Sequence, residues 1–251
     1  MSGALWLIPT SLGAPEQARE VLPSATLACI ERLDYFVVEN ARSARAFLKA
    51  AGTMKPLQSL ELVELDEHTP SERIPQLLAP IVGGRDGGLL SEAGAPAVAD
   101  PGAALVEAAH AAGIVVRPVV GPSAILLALM ASGMNGQRFS FAGYVPAQAE
   151  ARVRRLRELE QRSLREDETI LIIETPYRNR ALLESALLAL APTTRLMLAS
   201  ELTTPAERIV VDTVAGWRRA PREAPKAPAV FGLQARATAP ALRRAPSGRS
   251  G

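Results

Sequence analysis

From Ala4 onward the chain alternates short apolar runs with longer stretches of helical periodicity. Ala4 to Ile8, Tyr35 to Val38, Leu60 to Leu65, Leu89 to Ser91 and Ile114 to Val120 read as strands. Pro15 to Arg32, Ser43 to Ala51, Ser71 to Ile81 and Ala103 to Ala112 read as the helices between them. A helix between each pair of strands predicts βαβ units, because parallel neighbours cannot be joined by a tight turn. The fold class is therefore α/β, with a largely parallel sheet covered by helices. The glycine-rich stretch from Gly83 to Gly88 reads as a flexible connection. It lacks the Gly-Lys-Ser/Thr ending of a phosphate loop and precedes a strand instead of following one.

The second half opens with Gly121-Pro122-Ser123 and an apolar helix, Ala124 to Ser132. Strands are expected over Phe139 to Ala142, Thr169 to Glu174, Arg195 to Ser200 and Ala229 to Leu233, with a hairpin across Glu207 to Val214. Helices are expected over Arg152 to Arg165 and Arg178 to Leu190. The first of these mixes arginines and acids, which predicts a solvated helix with internal ion pairs. The domain boundaries read as an N-terminal α/β domain over 1–120, a C-terminal α/β domain over 121–233 and a disordered tail over 234–251.

Charge separates the tail from the body. The chain has 28 Lys and Arg against 26 Asp and Glu, but its last 18 residues hold four arginines and no acid. Without them the balance is 24 against 26, so nucleic acid has to be met by a local patch or by the tail. Aromatics at 4% argue against broad stacking platforms for bases. The single cysteine, Cys29, excludes an internal disulfide and fits a reducing cytoplasm; its apolar helical setting marks it as a small core residue. No signal peptide is expected, and the longest apolar region is interrupted at Gly121-Pro122-Ser123 and too short to span a bilayer. No His, Cys or acid cluster has metal-ligand spacing.

The polar residues that carry chemistry sit where strands end. They are Pro9-Thr10-Ser11-Leu12-Gly13, Glu39-Asn40-Ala41-Arg42, Ser91 to Gly102, Gly121-Pro122-Ser123, Glu174-Thr175-Pro176-Tyr177-Arg178 and Ser200-Glu201-Leu202-Thr203. Open α/β sheets bind ligands at the carboxyl ends of their strands. The Ser91 to Gly102 loop is fixed by glycines and prolines and poor in ionisable groups, which suits a small ligand held through main-chain atoms. Asp100, just before Pro101, is expected to cap the helix that follows. Glu39 has two readings, a general base or an ion pair with Arg42 one helical turn on. Glu174 likewise reads as a base or as an anchor for the loop before Pro176.

These motifs, in this order, resemble the tetrapyrrole methylase superfamily of S-adenosylmethionine-dependent methyltransferases, and within it the bacterial 16S rRNA cytidine 2′-O-methyltransferase family. The family's Pro-Thr-Pro-Ile-Gly is similar to residues 9–13, its Ser-Asp-Ala-Gly-Thr-Pro-Gly-Ile-Ser-Asp-Pro-Gly to 91–102, and its Pro-Gly-Pro-Ser-Ala to 120–124. Its Glu-Ser-Pro-His-Arg is similar to 174–178 and its Arg-Glu-Leu-Thr-Lys to 200–204. The chain departs from the pattern at Asn40 and Ala41, where Asp and Thr are usual, at Glu92 for Asp, and at Ser200 and Thr204 for Arg and Lys.

The resemblance implies a two-domain fold, a mostly parallel N-terminal sheet and a mixed C-terminal sheet, with the ligand cleft between the domains. It implies S-adenosylmethionine as cofactor and a homodimer, with rRNA or the small ribosomal subunit as the other partner, and neither membrane nor metal. Leu12, Ser91, Gly94, Ala95, Pro96, Ala97, Val98, Ser123, Ala124, Thr175 and Leu202 are assigned to the donor, Glu39, Arg42 and Glu174 to catalysis, and Arg178 to substrate phosphate. The alternatives are methylation of a small, tetrapyrrole-like molecule and a non-catalytic S-adenosylmethionine-binding protein.

Overall fold

The computed structural model describes residues 2–236. In chain order the elements are β1 Ala4–Ile8, α1 Ala18–Val21, α2 Ser24–Arg32, β2 Tyr35–Val38, α3 Ala41–Ala51, β3 Glu61–Glu64, α4 Ile74–Val82, β4 Gly87–Leu90, α5 Gly102–Ala111, β5 Val115–Pro118 and α6 Ala124–Ser132. There follow β6 Phe139–Phe141, α7 Ala149–Glu166, β7 Thr169–Glu174, α8 Asn179–Ala189, β8 Arg195–Ser200, β9 Arg208–Thr213, α9 Val214–Arg219 and β10 Ala229–Gln234. They divide into two compact units, one of residues 2–128 with 201–208, the other of 129–200 with 209–236.

The first unit carries a five-stranded sheet in the order β3-β2-β4-β1-β5, and every pairing with a recorded register is parallel. Alternation along β2 sends its side chains to opposite faces. Phe36 and Val38 join Ile8, Leu90 and the helices α2 and α3 in one core cluster, while Tyr35 and Val37 join Leu5, Leu89, α4 and α5 in another. The helix read over Pro15 to Arg32 is broken. Leu22 is extended ahead of Pro23, whose ring excludes the helical conformation from the residue before it.

Gly87 and Gly88 belong to β4 and not to a flexible connection. A Cβ at Gly88 would lie 2.6 Å from the Phe36 ring, and one at Gly87 would lie 2.8 Å from Ile81. The two glycines let the aromatics of β2 lie across the adjacent strand.

The second unit has a mixed sheet, β6-β7-β10-β8-β9. β6 runs parallel to β7, and β10 runs antiparallel to both β7 and β8. Its core gathers Trp217, Phe231, Leu156, Ile170 and Leu198, with the Trp217 indole N–H donating to Leu196 O at 2.9 Å. Residues 208–213 form one strand, where a hairpin was expected. Ile209, Val210 and Val211 offer no turn chemistry between them.

Arg152 is a second departure. It is 6% exposed rather than solvated, with Nε donating to Ser185 Oγ and Nη1 to Ala147 O. Farther along α7 the expected ion pairing is found, as at Arg155–Glu158. β10 runs to Gln234, and Ala235 N–H donates to Ser163 Oγ. Of the expected tail, 237–251 lies outside the described residues.

Candidate active site

Three neighbouring strands of the first unit, β2, β4 and β1, end side by side and present Glu39-Asn40, Ser91-Glu92 and Thr10-Ser11 together. These residues line a cavity of about 40 Å³, completed by Gly13, Pro15, Val38, Ser43, Ala44, Phe47 and Leu90. The β1 and β4 loops are bonded to each other. Thr10 N–H donates to Gly94 O at 2.9 Å and the Thr10 hydroxyl to Ser91 O at 3.3 Å, while the Ser91 hydroxyl donates to Gly94 O at 3.1 Å.

Glu39 stands at the mouth of α3, half-buried, and its Oε2 accepts the Glu92 N–H at 3.1 Å. No ion pair links it to Arg42, which is exposed. Burial raises the Glu39 carboxyl above the ordinary carboxylate range; the Glu92 N–H opposes this, and the charges of Glu92, Asp100 and Glu67 add to the rise. The Glu92 carboxylate accepts the Ser43 hydroxyl at 2.5 Å. Asn40 caps α3, its Oδ1 accepting from Arg42 N–H and Ser43 N–H. Thr10, Ser11 and Ser43 were not singled out by sequence; only their place in or beside strand-end motifs could have pointed to them.

The loop after β4 is strained as well as rigid. Ala97 and Ala99 hold φ of 63° and 62°, in the left-handed region, and Gly94 holds 74°. Asp100 secures this shape. Both of its oxygens accept from Ala97 N–H at 2.9 Å, and Oδ1 also accepts from Gly102 N–H at 2.8 Å, at the start of α5. Burial pushes the Asp100 carboxyl upward, against the pull of those two N–H groups. Strained backbone held by neighbouring structure is concentrated at ligand sites.

Of the donor residues, Leu12, Ser91, Gly94 to Val98, Ser123, Ala124 and Leu202 all fall in the first unit. A Cβ on Gly94 would come within 2.9 Å of Leu12 Cδ2 and 3.5 Å of Pro122 O, so three strand-end loops meet there. Leu202 is buried in the return segment 201–208, where Glu201 and Thr203 also hold positive φ. Gln17 Nε2 reaches Thr203 O at 3.4 Å, yet Gln17 Oε1 and Thr203 Oγ1 are buried without partners. Unmatched buried polar atoms call for a ligand or water. Together with the close-approach cradle at Gly94, they fit the polar ends of S-adenosylmethionine.

Glu174, Thr175 and Arg178 belong to the second unit. The Glu174 side chain is fully buried, and its Oε1 accepts the Thr175 N–H at 2.9 Å, the anchoring role. Arg178 Nη2 lies 2.9 Å from Glu174 Oε2, outside hydrogen-bond alignment, and donates to Val145 O at 2.5 Å. Among the described residues no group of three or more His, Cys, Asp or Glu side chains is placed to hold a metal ion. No helix there is long and apolar enough to cross a membrane.

A parallel sheet with ligand-type loops at its strand ends, joined in the chain to a mixed-sheet unit, defines a class of ligand-binding α/β protein, and the sequence comparisons give its family. The pattern of the Tetrapyrrole (Corrin/Porphyrin) Methylases matches residues 5–216, and the chain belongs to that family, whose members take the methyl group from S-adenosylmethionine. It is 31% identical to "Ribosomal RNA small subunit methyltransferase I" of Pasteurella multocida over 87% of this chain and 73% of the relative. It is 34% identical to the protein of the same name from Xylella fastidiosa, over 85% and 73%. Among solved structures, the methyltransferase CobJ superposes with a TM-score of 0.63 at 22% identity, covering 93% of this chain and 95% of that one. Diphthine synthase superposes with 0.67 at 15% identity, covering 93% and 90%. Both share the fold.

Proposed function

We propose that the chain transfers a methyl group from S-adenosylmethionine to a ribose 2′-hydroxyl in the RNA of the small ribosomal subunit. The observation that carries this reading is the identity of 31–34%, over most of the chain, to relatives named for that RNA. When bound, S-adenosylmethionine supplies an electrophilic methyl group. The chain's own part is to place an acceptor oxygen and take its proton.

Glu39 is the base in this reading. Its carboxyl is raised by burial, which brings its proton affinity nearer to neutral and improves proton transfer. It is oriented by the Glu92 N–H. Glu174 is committed to Thr175 and Arg178 and serves as an anchor. Arg42, exposed at the start of α3, is suited to an RNA phosphate. The donor is assigned to the loops of Leu12, Ser91 to Val98, Ser123-Ala124 and Leu202.

We extend the proposal to a cytoplasmic homodimer. Leu126 and Met130, one turn apart on α6, are 50% and 78% exposed, an apolar face suited to a second copy; sedimentation at monomer mass would remove this part. The activity is tested by incubating the protein with methyl-labelled donor and small ribosomal subunits, then mapping the label. Label on a ribose of the RNA is expected. Donor binding with label only in a small-molecule extract would replace RNA with a small acceptor.

A further inference from the structure

The cavity at the ends of β1, β2 and β4 is lined by one largely buried serine, Ser11, 4% exposed, whose hydroxyl is reached from the cavity and is bonded to no protein group among the described residues. Its neighbours are engaged. The Thr10 hydroxyl is spent on Ser91 O and the Ser43 hydroxyl on Glu92. Glu39 uses Oε2 for the Glu92 N–H, leaving Oε1 open.

No Lys, Arg or His lines the cavity, while Glu39 and Glu92 do. A phosphate or carboxylate would meet like charge there without compensation. A cavity of about 40 Å³ admits only two or three water-sized groups, so it receives one functional group and not a whole nucleoside. The open positions specify that group further. Ser11 has an O–H to give, and Glu39 has an oxygen to receive. An exocyclic amine offers donors but no useful acceptor, whereas an alcohol offers one of each.

We infer that Ser11 is an acceptor-binding residue, its hydroxyl donating to the oxygen of the sugar hydroxyl that is methylated while that hydroxyl donates to Glu39. This rests on the proposed reading of a ribose acceptor at Glu39. In the reacting arrangement the O–H bond breaks, its proton passes to Glu39 Oε1, and the freed electron pair on oxygen forms the bond to the methyl carbon. The bond of that carbon to the donor's sulfur breaks, and its electron pair stays on sulfur. Ser11 keeps the oxygen directed and lends a hydrogen bond to the negative charge that develops on it.

The experiment pairs Ser11→Ala with an RNA fragment that spans the mapped label, made with ribose or with 2′-deoxyribose at that nucleotide. Binding is read by fluorescence anisotropy in the presence of S-adenosylhomocysteine, with donor affinity by calorimetry as the control for folding. Ser11→Ala should weaken the ribose fragment about tenfold and leave the deoxyribose fragment unchanged, as expected for one hydrogen bond removed from either side. It should also lower kcat/KM by at least that factor, with donor affinity retained. Equal weakening of both fragments, or of neither, overturns the role of Ser11 while leaving the methyltransferase reading in place. Label in no RNA from the unsubstituted protein refutes the ribose reading and this inference with it.

Discussion

Replacing Gly94 tests the strand-end loops directly. Gly94 sits at φ 74°, and an added Cβ would lie 2.9 Å from Leu12 Cδ2. The left-handed conformation costs a non-glycine residue about 1–2 kcal/mol. The contact is shorter than the roughly 3.5–4.0 Å optimum for two carbons. Leu12 is half-buried and can turn aside, at about 0.5–1.5 kcal/mol if it leaves its rotamer. Gly94→Ala should therefore lose about 2–3 kcal/mol, and Gly94→Val more, because a β-branched residue tolerates positive φ least. In a chain of this size that corresponds to a fall in Tm of roughly 5–10 °C. Thermal melts read the stability. Calorimetry with S-adenosylhomocysteine reads the site, where affinity should fall as well, since Leu12 is displaced and Gly94 O can no longer hold both Thr10 and Ser91. A loss below about 0.5 kcal/mol with unchanged affinity would refute both the strain argument and the assignment of the loop.

Substitutions centred on three further residues, Glu39, Arg178 and Asn40, probe separate features. Glu39→Gln should lower kcat by about 10²–10⁴-fold, and activity of the unsubstituted protein should decline as pH falls through the raised Glu39 pKa. Because the folded-state pKa lies above the unfolded value, ionising Glu39 opposes folding, a penalty absent below the unfolded pKa and complete above the folded one. Glu39→Gln should thus raise Tm at pH 8 and not at pH 4; the opposite pattern would contradict burial as the cause. Arg178→Ala strands the fully buried Glu174 carboxylate and should cost about 3 kcal/mol in chemical denaturation, with part recovered when Glu174→Gln is added. Asn40→Ala removes the cap that accepts from Arg42 N–H and Ser43 N–H and should cost about 1 kcal/mol, whereas Asn40→Asp should keep the cap; equal losses for the two would place the effect elsewhere.

The parallel sheet was legible because each strand is a short apolar run separated from the next by a helical one, and topology follows from that spacing. The strand-end loops were legible for the same reason; Asp100, expected as a helix cap, stands one residue before the N-cap Pro101 and holds the loop through Ala97 N–H as well as the first helical N–H of Gly102. What escaped was whatever depends on packing between distant segments. Gly87 and Gly88 look like a turn until Phe36 and Tyr35 lie over them. Arg152 looks solvated until Ser185 and Ala147 O surround it. Ser11 looks like any loop serine, because its opening into a cavity depends on three strands that meet only in the fold. The competing roles of Glu39 could not be separated from a three-residue spacing; the fold removes the ion pair by turning the carboxylate toward Glu92 N–H and leaving Arg42 exposed.

The first unit is not one stretch of chain. It takes back residues 201–208 after the polypeptide has left it at Ala128, and Leu202 in that segment is 5% exposed. During synthesis, then, the unit that emerges first waits for its last piece. At about 5–20 residues per second the wait lasts several seconds, with Gln17 and the Gly13 turn uncovered meanwhile. A nascent chain arrested before Glu201 should hold the parallel sheet without Leu202 and its loop, so the first unit is completed only after most of the second has been made. The same interruption prevents the unit from being moved between genes as a single contiguous segment.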